Sequence, residues 1–302
     1  MSCLPSSDRR ALLRAGLGGG AAIALCRVFA AGFELRVITS DTSDATRQIL
    51  DALQRQLASL QVGDVRAFLQ RRGPAVYLAL GPAALQAALD ADLGEPLLSL
   101  FVSNDAYTRV LAAVAKRPRA PVSAIYAEAS PHNQMALVRA LYARRVGVGV
   151  LLTSNTSRQE AALRRAARSA DLDLDLQYVE PGENIIRALA RLRSAGVLLA
   201  VPDRDIYTAD NLRNILESTY RRNQAMIGFS ASLVNAGTLA AAYPTIHDTI
   251  AQVGDVIAVM AAGRIPEPQY PVYWRVAIND SVARSLNIVV SDAARTLGNF
   301  PP

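Results

Sequence analysis

Val146-Gly147-Val148-Gly149-Val150-Leu151-Leu152, followed by Thr153-Ser154-Asn155-Thr156-Ser157, is the stretch that decides the fold. Seven apolar residues ended by five small polar ones read as a strand buried on both faces that stops in a turn. A helix is expected next, from Arg158 to Ala170. The same alternation precedes this stretch. Strands are expected at Glu34–Thr39, Ala75–Leu80, Leu97–Val102 and Val122–Tyr126, and helices at Thr42–Leu60, Ala83–Leu89, Asp105–Ala115 and Pro131–Arg144. It also continues afterwards. Leu172–Val179 alternates with period two, Ile185–Arg193 is helical, and Gly196–Val201 is a strand. Then come a helix at Ala209–Arg222, a strand at Ala225–Phe229, a mostly helical Leu239–Ala262 and a late strand at Val272–Ile278. Apolar strands that alternate with helices build parallel sheets covered on both faces. Two such series predict an α/β protein of two Rossmann-like parallel-sheet lobes, joined by a hinge, with a cleft between them.

The 302 residues are 51% hydrophobic and 19% charged, which excludes a disordered or fibrous chain and suits two modest domains. The formal charge is +6, and half of it sits in residues 1–30, where Arg9, Arg10, Arg14 and Arg27 face a single acid, Asp8. The rest carries too little excess for a nucleic-acid binder, which concentrates basic residues on one face. Lys116 is the only lysine, so the basic count is an arginine count. Cys3 and Cys26 both fall in the first thirty residues, which leaves the body no disulfide framework and no thiolate metal site.

Those first thirty residues read as an export signal. Arg9-Arg10-Ala11-Leu12-Leu13-Arg14 precedes an apolar run from Ala15 to Cys26 and a small-residue exit, the pattern of a twin-arginine-like leader cleaved near Ala30. The run is shorter than the roughly 20 residues of a spanning helix. Leu25 stands where a lipidation signal prefers Gly or Ala, which argues against an anchor on Cys26. Gly16-Leu17-Gly18-Gly19-Gly20-Ala21 mimics a dinucleotide fingerprint, but no strand precedes it, so it reads as flexible leader.

Candidate chemistry in the body points to a pocket and not to a catalytic centre. Gly228-Phe229-Ser230-Ala231-Ser232 nearly matches a nucleophile elbow. An elbow of that type needs an acid and then a histidine downstream, and no Asp or Glu lies between Ser230 and His247. Asp171-x-Asp173-x-Asp175 opens like a calcium loop but has Leu176 and Gly182 where the loop needs Gly and Glu, so it reads as the wet face of an edge strand. His132 and His247 have no partner at metal spacing. No metal and no cofactor is expected. Small polar residues instead recur at the strand exits: Ser40-Asp41, Gly81-Pro82, Ser103-Asn104, Ser154-Asn155, Asp203 and Ser230, with Tyr126 and Phe229 beside them. Open α/β sheets bind ligands at the carboxyl ends of their strands. Those residues are the candidate ligand contacts. Within Asp203-Arg204-Asp205, Asp203 is expected to face the ligand and Asp205 to cap the following turn.

From Ser123 onward the chain resembles the substrate-binding proteins of bacterial ABC transporters, in particular the family that includes binders of tryptophan and other aromatic amino acids. The resemblance rests on Ile125-Tyr-Ala-Glu-Ala-Ser-Pro131 with Gln134, and on Val146-Gly-Val-Gly-Val-Leu. It continues in Leu198-Leu-Ala-Val-Pro-Asp203, Ile227-Gly-Phe-Ser230, Val234-x-Ala236-Gly237 and Ile278-Asn279-x-x-Val282-Ala283-x-x-Leu286. It covers residues 123–290 best and 34–122 more weakly, through Ala79-Leu80-Gly81-Pro82-Ala83. It implies a periplasmic-binding-protein-like fold with the Asp203 and Ser230 turns bordering the cleft. The early lobe shows no aromatic clamp for an indole ring, so the ligand of the relatives is not carried across.

The expected division is 1–30 export signal; 31–127 plus about 238–270 as lobe 1; and 128–237 plus about 271–292 as lobe 2, with hinge crossings near Ala127–Ser130, Gly237 and Pro271. The expected function is periplasmic capture of a small solute, amino-acid-like compounds among the candidates, for delivery to an ABC transporter permease. An extracytoplasmic sensor subunit that reports the same kind of solute to a membrane receptor is the alternative. An α/β hydrolytic enzyme is the third reading.

Overall fold

The computed structural model describes residues 33–302 except 58, 72 and 143, so the expected export signal, with both cysteines, lies outside the described residues. Two sheets organise the rest. In the first, β1 (Glu34–Ile38), β2 (Leu60–Gly63), β3 (Ala75–Leu80), β4 (Leu97–Val102) and β5 (Val122–Tyr126) lie in the order β2-β1-β3-β4-β5, all parallel. Its strands are apolar because both faces are covered. Helix α1 (Asp44–Gln56) packs Leu53 against Leu35, Val37 and Val76 on one face. Helices α2 (Gly81–Asp90) and α3 (Asn104–Ala113) place Leu85, Leu89 and Tyr107 against Tyr77, Ala79 and Val102 on the other.

The second sheet holds β6 (Gly147–Leu152), β7 (Asp173–Tyr178), β8 (Val197–Leu199), β9 (Ala225–Gly228), β10 (Ala240–Tyr243) and β11 (Arg275–Ile278), ordered β11-β10-β9-β8-β6-β7. Only the β10–β11 pairing is antiparallel. One face carries α4 (Pro131–Leu141) and α5 (Glu160–Ser169), and the other α6 (Ile185–Arg191) and α7 (Ala209–Tyr220). Helix α8 (Ala231–Ala236) follows β9 so closely that a Cβ on Gly228 would stand 2.8 Å from Leu233 Cβ, which is why glycine ends that strand. Strand β7 forms the sheet edge, with Arg145 of the adjoining loop 2.7 Å from Asp173.

Three expectations are corrected. The helix expected from Thr42 to Leu60 stops at Gln56, because Leu60–Gly63 leaves it to pair with β1 as an edge strand. The stretch Leu239–Ala262, expected to be mostly helical, is so from Ile246 on but opens with a strand, Ala240–Tyr243. Ala240-Ala241-Ala242 are good helix formers, yet they lie fully buried between β9 and β11, where small side chains fit and the ladder takes their backbone groups. The crossing expected near Gly237 therefore falls beyond Tyr243, where Thr245 caps helix α9 (Ile246–Ala261). That helix returns to the first sheet and seats Ile250, Val253, Ile257 and Met260 beside Leu35, Val76 and Leu98.

The chain thus passes between the sheets three times. At the first crossing, the Ala127 N–H donates to Val102 O at 3.1 Å. The third runs beside β5, with Tyr126 N–H bonded to Gln269 O and Gln269 N–H to Ala124 O, both at 2.9 Å. Asp248 on α9 and Arg275 on β11 tie the two sheets together at 2.5 and 2.8 Å, and the carboxylate is fully buried. Among the described residues no helix is long and apolar enough to cross a membrane.

Candidate ligand site at the facing sheet ends

Because the strands that carry them run parallel within each sheet, every expected contact falls on a carboxyl edge. After β1, Ser40 is exposed and Asp41 is engaged locally, accepting from Ser43 N–H at 2.9 Å and Thr46 Oγ1 at 2.6 Å. Those two bonds, the threonine hydroxyl first, hold its carboxyl below the usual range. After β3, Gly81 has φ +82°, which a side chain would strain, and no side chain caps the helix that starts there with Pro82.

Towards the end of β4 the backbone is irregular. The β4–β5 register shifts between Leu100 and Val102, and Phe101 sits at φ +58°. An aromatic residue with positive φ is strained, and a bulge of this kind re-aims the residues that follow it. Ser103 then caps α3 through Ala106 N–H at 3.2 Å, and the Asn104 N–H donates to Glu128 Oε1 at 2.9 Å. Tyr126 packs edge-on to Tyr107 and Tyr270, with ring centroids 5.7 and 5.0 Å apart.

On the second sheet, Ser154 and Asn155 are exposed, and Asn155 Nδ2 donates to Asp205 Oδ2 at 3.2 Å. Phe229 packs edge-on to Tyr207 at 6.0 Å. Ser230 caps α8 through Leu233 N–H at 3.3 Å, and its hydroxyl otherwise meets only the Ser232 hydroxyl.

The turn-capping expected of Asp205 is done by Asp203 instead. Asp203 is 5% exposed, and its two oxygens accept from Thr153 Oγ1, Thr156 Oγ1, Asp205 N–H and Ile206 N–H at 2.7–3.2 Å. Four bonds fill the lone-pair sites of a carboxylate. Asp203 is the cap, and it locks the 153–156 turn to the turn after β8. Asp205 is the exposed member and, with Asn155 and Asn211, lines a groove at this edge.

The two edges face one another. Asp105, in the first turn of α3, feels the charges of Arg158, Asp203 and Asp205 from the second lobe. It is 4% exposed; Oδ2 is paired with Arg109 at 2.9 Å, and Oδ1 has no partner. Glu128, at the first crossing, is equally buried, and its Oε2 is unpartnered. Asn104 Oδ1, Gln134 Oε1 and Gln159 Nε2 are also buried without a partner. Glu128, Gln134, Gln159 and Tyr270 line one recess at the base of the cleft. Unpartnered buried polar atoms are costly in native folds, so this cluster calls for further partners, bound water or a ligand.

None of Asp105, Glu128, Gln159 and Tyr270 is among the residues expected from sequence. Their one signal is a charged residue, Glu128, set between Ala127 and Ala129 directly after a buried strand.

Burial pushes the Glu128 carboxyl from 4.5 up to about 7, against the Asn104 N–H and its own backbone N–H, which favour the charged form, and with help from Asp105. The folded state therefore holds this proton more tightly than the unfolded chain does. That stabilisation is complete below pH 4.5 and is lost as the pH rises through about 7. Glu128→Gln keeps an acceptor for Asn104 and cannot ionise. Melts should show similar stability for the two proteins at pH 4.5 and a gain for the variant of about 3 kcal/mol at pH 8.5. Parallel pH profiles would mean that the charged carboxylate is well solvated.

Two parallel-stranded α/β lobes, three crossings and a cleft at the facing carboxyl edges make up the periplasmic-binding-protein fold. Solved structures share it. The chain is similar to a ligand-free, open substrate-binding protein with adhesive properties from Clostridium difficile, with TM-score 0.63 and 15% identity over 89% of this chain and 98% of that one. It is also similar to a conserved domain protein from Vibrio cholerae, with TM-score 0.57 and 19% identity over 87% and 97%. An ABC domain from Streptococcus pneumoniae in complex with L-Trp gives TM-score 0.56 and 17% identity over 87% and 97%. No protein-family model and no curated protein sequence matches the chain. The resemblance read from the sequence thus holds at the level of the fold.

Proposed function

We propose that the chain is an exported solute-binding protein that closes its lobes on a small molecule and delivers it to an ABC transporter. The observation that carries this reading is the set of buried, unpartnered polar atoms where the lobes meet: Asn104 Oδ1 and Asp105 Oδ1 from the first lobe, Glu128 Oε2 from the crossing, and Gln159 Nε2 from the second. A guest held there would touch both lobes, so it would favour the closed form over the open one, as hinge closure requires. Ser103, Asn104 and Tyr126 would contact it from one side and Ser154 and Asn155 from the other. The three crossings would serve as the hinge. Two of the similar structures support the reading, one with L-Trp bound and one a substrate-binding protein. Ser230 supports binding over catalysis, since its hydroxyl is engaged as a helix cap and is bonded to no base.

Mass spectrometry of small molecules released by unfolding the purified protein tests the reading. One solute at near-stoichiometric amount, which rebinds unchanged on refolding, is the expected result. Conversion of that solute to a product would replace the binding reading with an enzymatic one.

A further inference from the structure

The unpartnered atoms at the cleft are not an even mix. Asn104 Oδ1, Asp105 Oδ1, Glu128 Oε2 and Gln134 Oε1 are acceptors, whereas Gln159 Nε2 is the one donor among them. Three of the acceptors are adjacent through the backbone. Asn104 and Asp105 are consecutive, and the Asn104 N–H is bonded to the other oxygen of Glu128. The two carboxylates are each 4% exposed, and each already has one oxygen satisfied, Asp105 by Arg109 and Glu128 by Asn104. The open oxygens are those left over. An anionic guest would be repelled by the two carboxylates, and a neutral polyol brings donors but no charge to balance them. A primary ammonium carries three N–H donors and a positive charge, and a guanidinium carries five.

The surroundings fit a cation as well. Tyr107, Tyr126 and Tyr270 form an edge-to-face stack next to the same acids, and aromatic faces attract a cation by their quadrupole. The other charges in reach are Arg109, already paired with Asp105, Glu267 beside Tyr107 and Tyr126, and from the second lobe Arg158 with Asp203 and Asp205. Asp203 is saturated by its four bonds, so the acids still open to a guest outnumber the arginine that faces them.

We infer that the cleft takes a cationic solute, whose ammonium or guanidinium group is held by Asn104, Asp105 and Glu128. The inference rests on the solute-binding reading and narrows it to a chemical class. Each acid makes a charge-assisted bond to the guest that its amide counterpart makes only weakly, and removal of such a bond costs about one to two decades of affinity. Burial raises the carboxyls of both acids, and a bound cation would return them to the charged form.

The test is calorimetric titration of the full chain with three groups of probes: phenethylamine, putrescine and agmatine as cations; glucose and myo-inositol as neutral solutes; phenylacetate and succinate as anions. Binding confined to the cations is expected, with affinity lowered about tenfold or more by Asp105→Asn and by Glu128→Gln. Urea melts of both variants without ligand should match or exceed wild type, so that lost affinity is not lost folding. Binding by the neutral or anionic probes alone overturns the assignment and leaves solute binding intact. So does cation binding that both variants retain at full strength. No binding by any group, together with no co-purified solute, overturns the solute-binding reading and this assignment with it.

Discussion

Asp203→Ala is expected to lower the free energy of unfolding by about 3–4 kcal/mol, the most damaging single change at the cleft. The substitution strands the buried Thr153 hydroxyl and the Asp205 and Ile206 N–H groups at once, and leaves the Thr156 hydroxyl only its 3.4 Å bond to Thr153 O as donor. Each bond to a charged acceptor is worth about 1.5–3 kcal/mol in isolation. The four share one carboxylate and one pair of turns, so their losses do not add. Asp203→Asn keeps one carbonyl oxygen and should recover about half of the loss. Asp205→Ala should cost less than about 1 kcal/mol, because its partners, Asn155 and Arg204, are exposed. Urea unfolding of the three variants decides the ranking. A stable Asp203→Ala protein with weakened ligand affinity would restore to Asp203 the ligand-facing role expected from sequence.

Asp248→Ala is expected to cost about 3 kcal/mol, with the damage centred on the lobe junction. Burial alone would raise the Asp248 carboxyl, but the bonds from Arg275 and from Thr245 outweigh it and hold the group below the ordinary carboxylate range. Its loss leaves the Arg275 guanidinium without its ion partner and removes the side-chain half of the α9 capping box, the bonds from Thr245 N–H and Oγ1, while the 248 N–H keeps its bond to Thr245 Oγ1. Arg275 is 34% exposed and stacks on Phe300 at 5.3 Å, so water takes up part of its charge and keeps the cost near the lower end for a broken buried pair. Hydrogen exchange should locate the loosening at Thr245–Ile250 and Arg275–Ile278. A loss below about 1 kcal/mol would show that the pair behaves as a surface ion pair.

The alternation of strand and helix was legible because it is written in runs of apolar residues, and every strand exit singled out from sequence does lie on a carboxyl edge. Two strands were not legible. Leu60–Gly63 is short and half-buried at an edge, and Ala240–Tyr243 is made of residues whose local preference is helical. The cleft itself was legible only in outline. Composition identifies small polar residues at turns, but many of those turned out to be caps: Ser103, Ser230 and Asp203 spend their side chains on backbone N–H groups. The cap at Asp203 had a readable cue, since an Asp that opens a turn bonds the N–H two residues on. The acids that remain open, Asp105 and Glu128, are buried only because a crossing segment and a second lobe come together over them, and no local pattern encodes that meeting.

The return of α9 to the first sheet also sets the order in which the chain can finish folding. During synthesis, β1 to β5 emerge about 120 residues before α9, a lag on the order of 6–25 s at ordinary elongation rates. Through that interval Leu35, Val76 and Leu98 lack the neighbours that Ile250, Val253 and Ile257 later supply. The second sheet waits as well: β6 to β10 are made before α9, but β11 and the segment 280–295, which sets Val282, Ala283, Leu286 and Ala294 into its core, follow α9. Neither lobe can therefore close during the first part of synthesis, and the N-terminal lobe stays a half-covered sheet until α9 arrives. Factors that shield nascent chains would meet their apolar target on the earlier-made half of this protein, and a chain truncated before residue 246 would keep that target exposed for good.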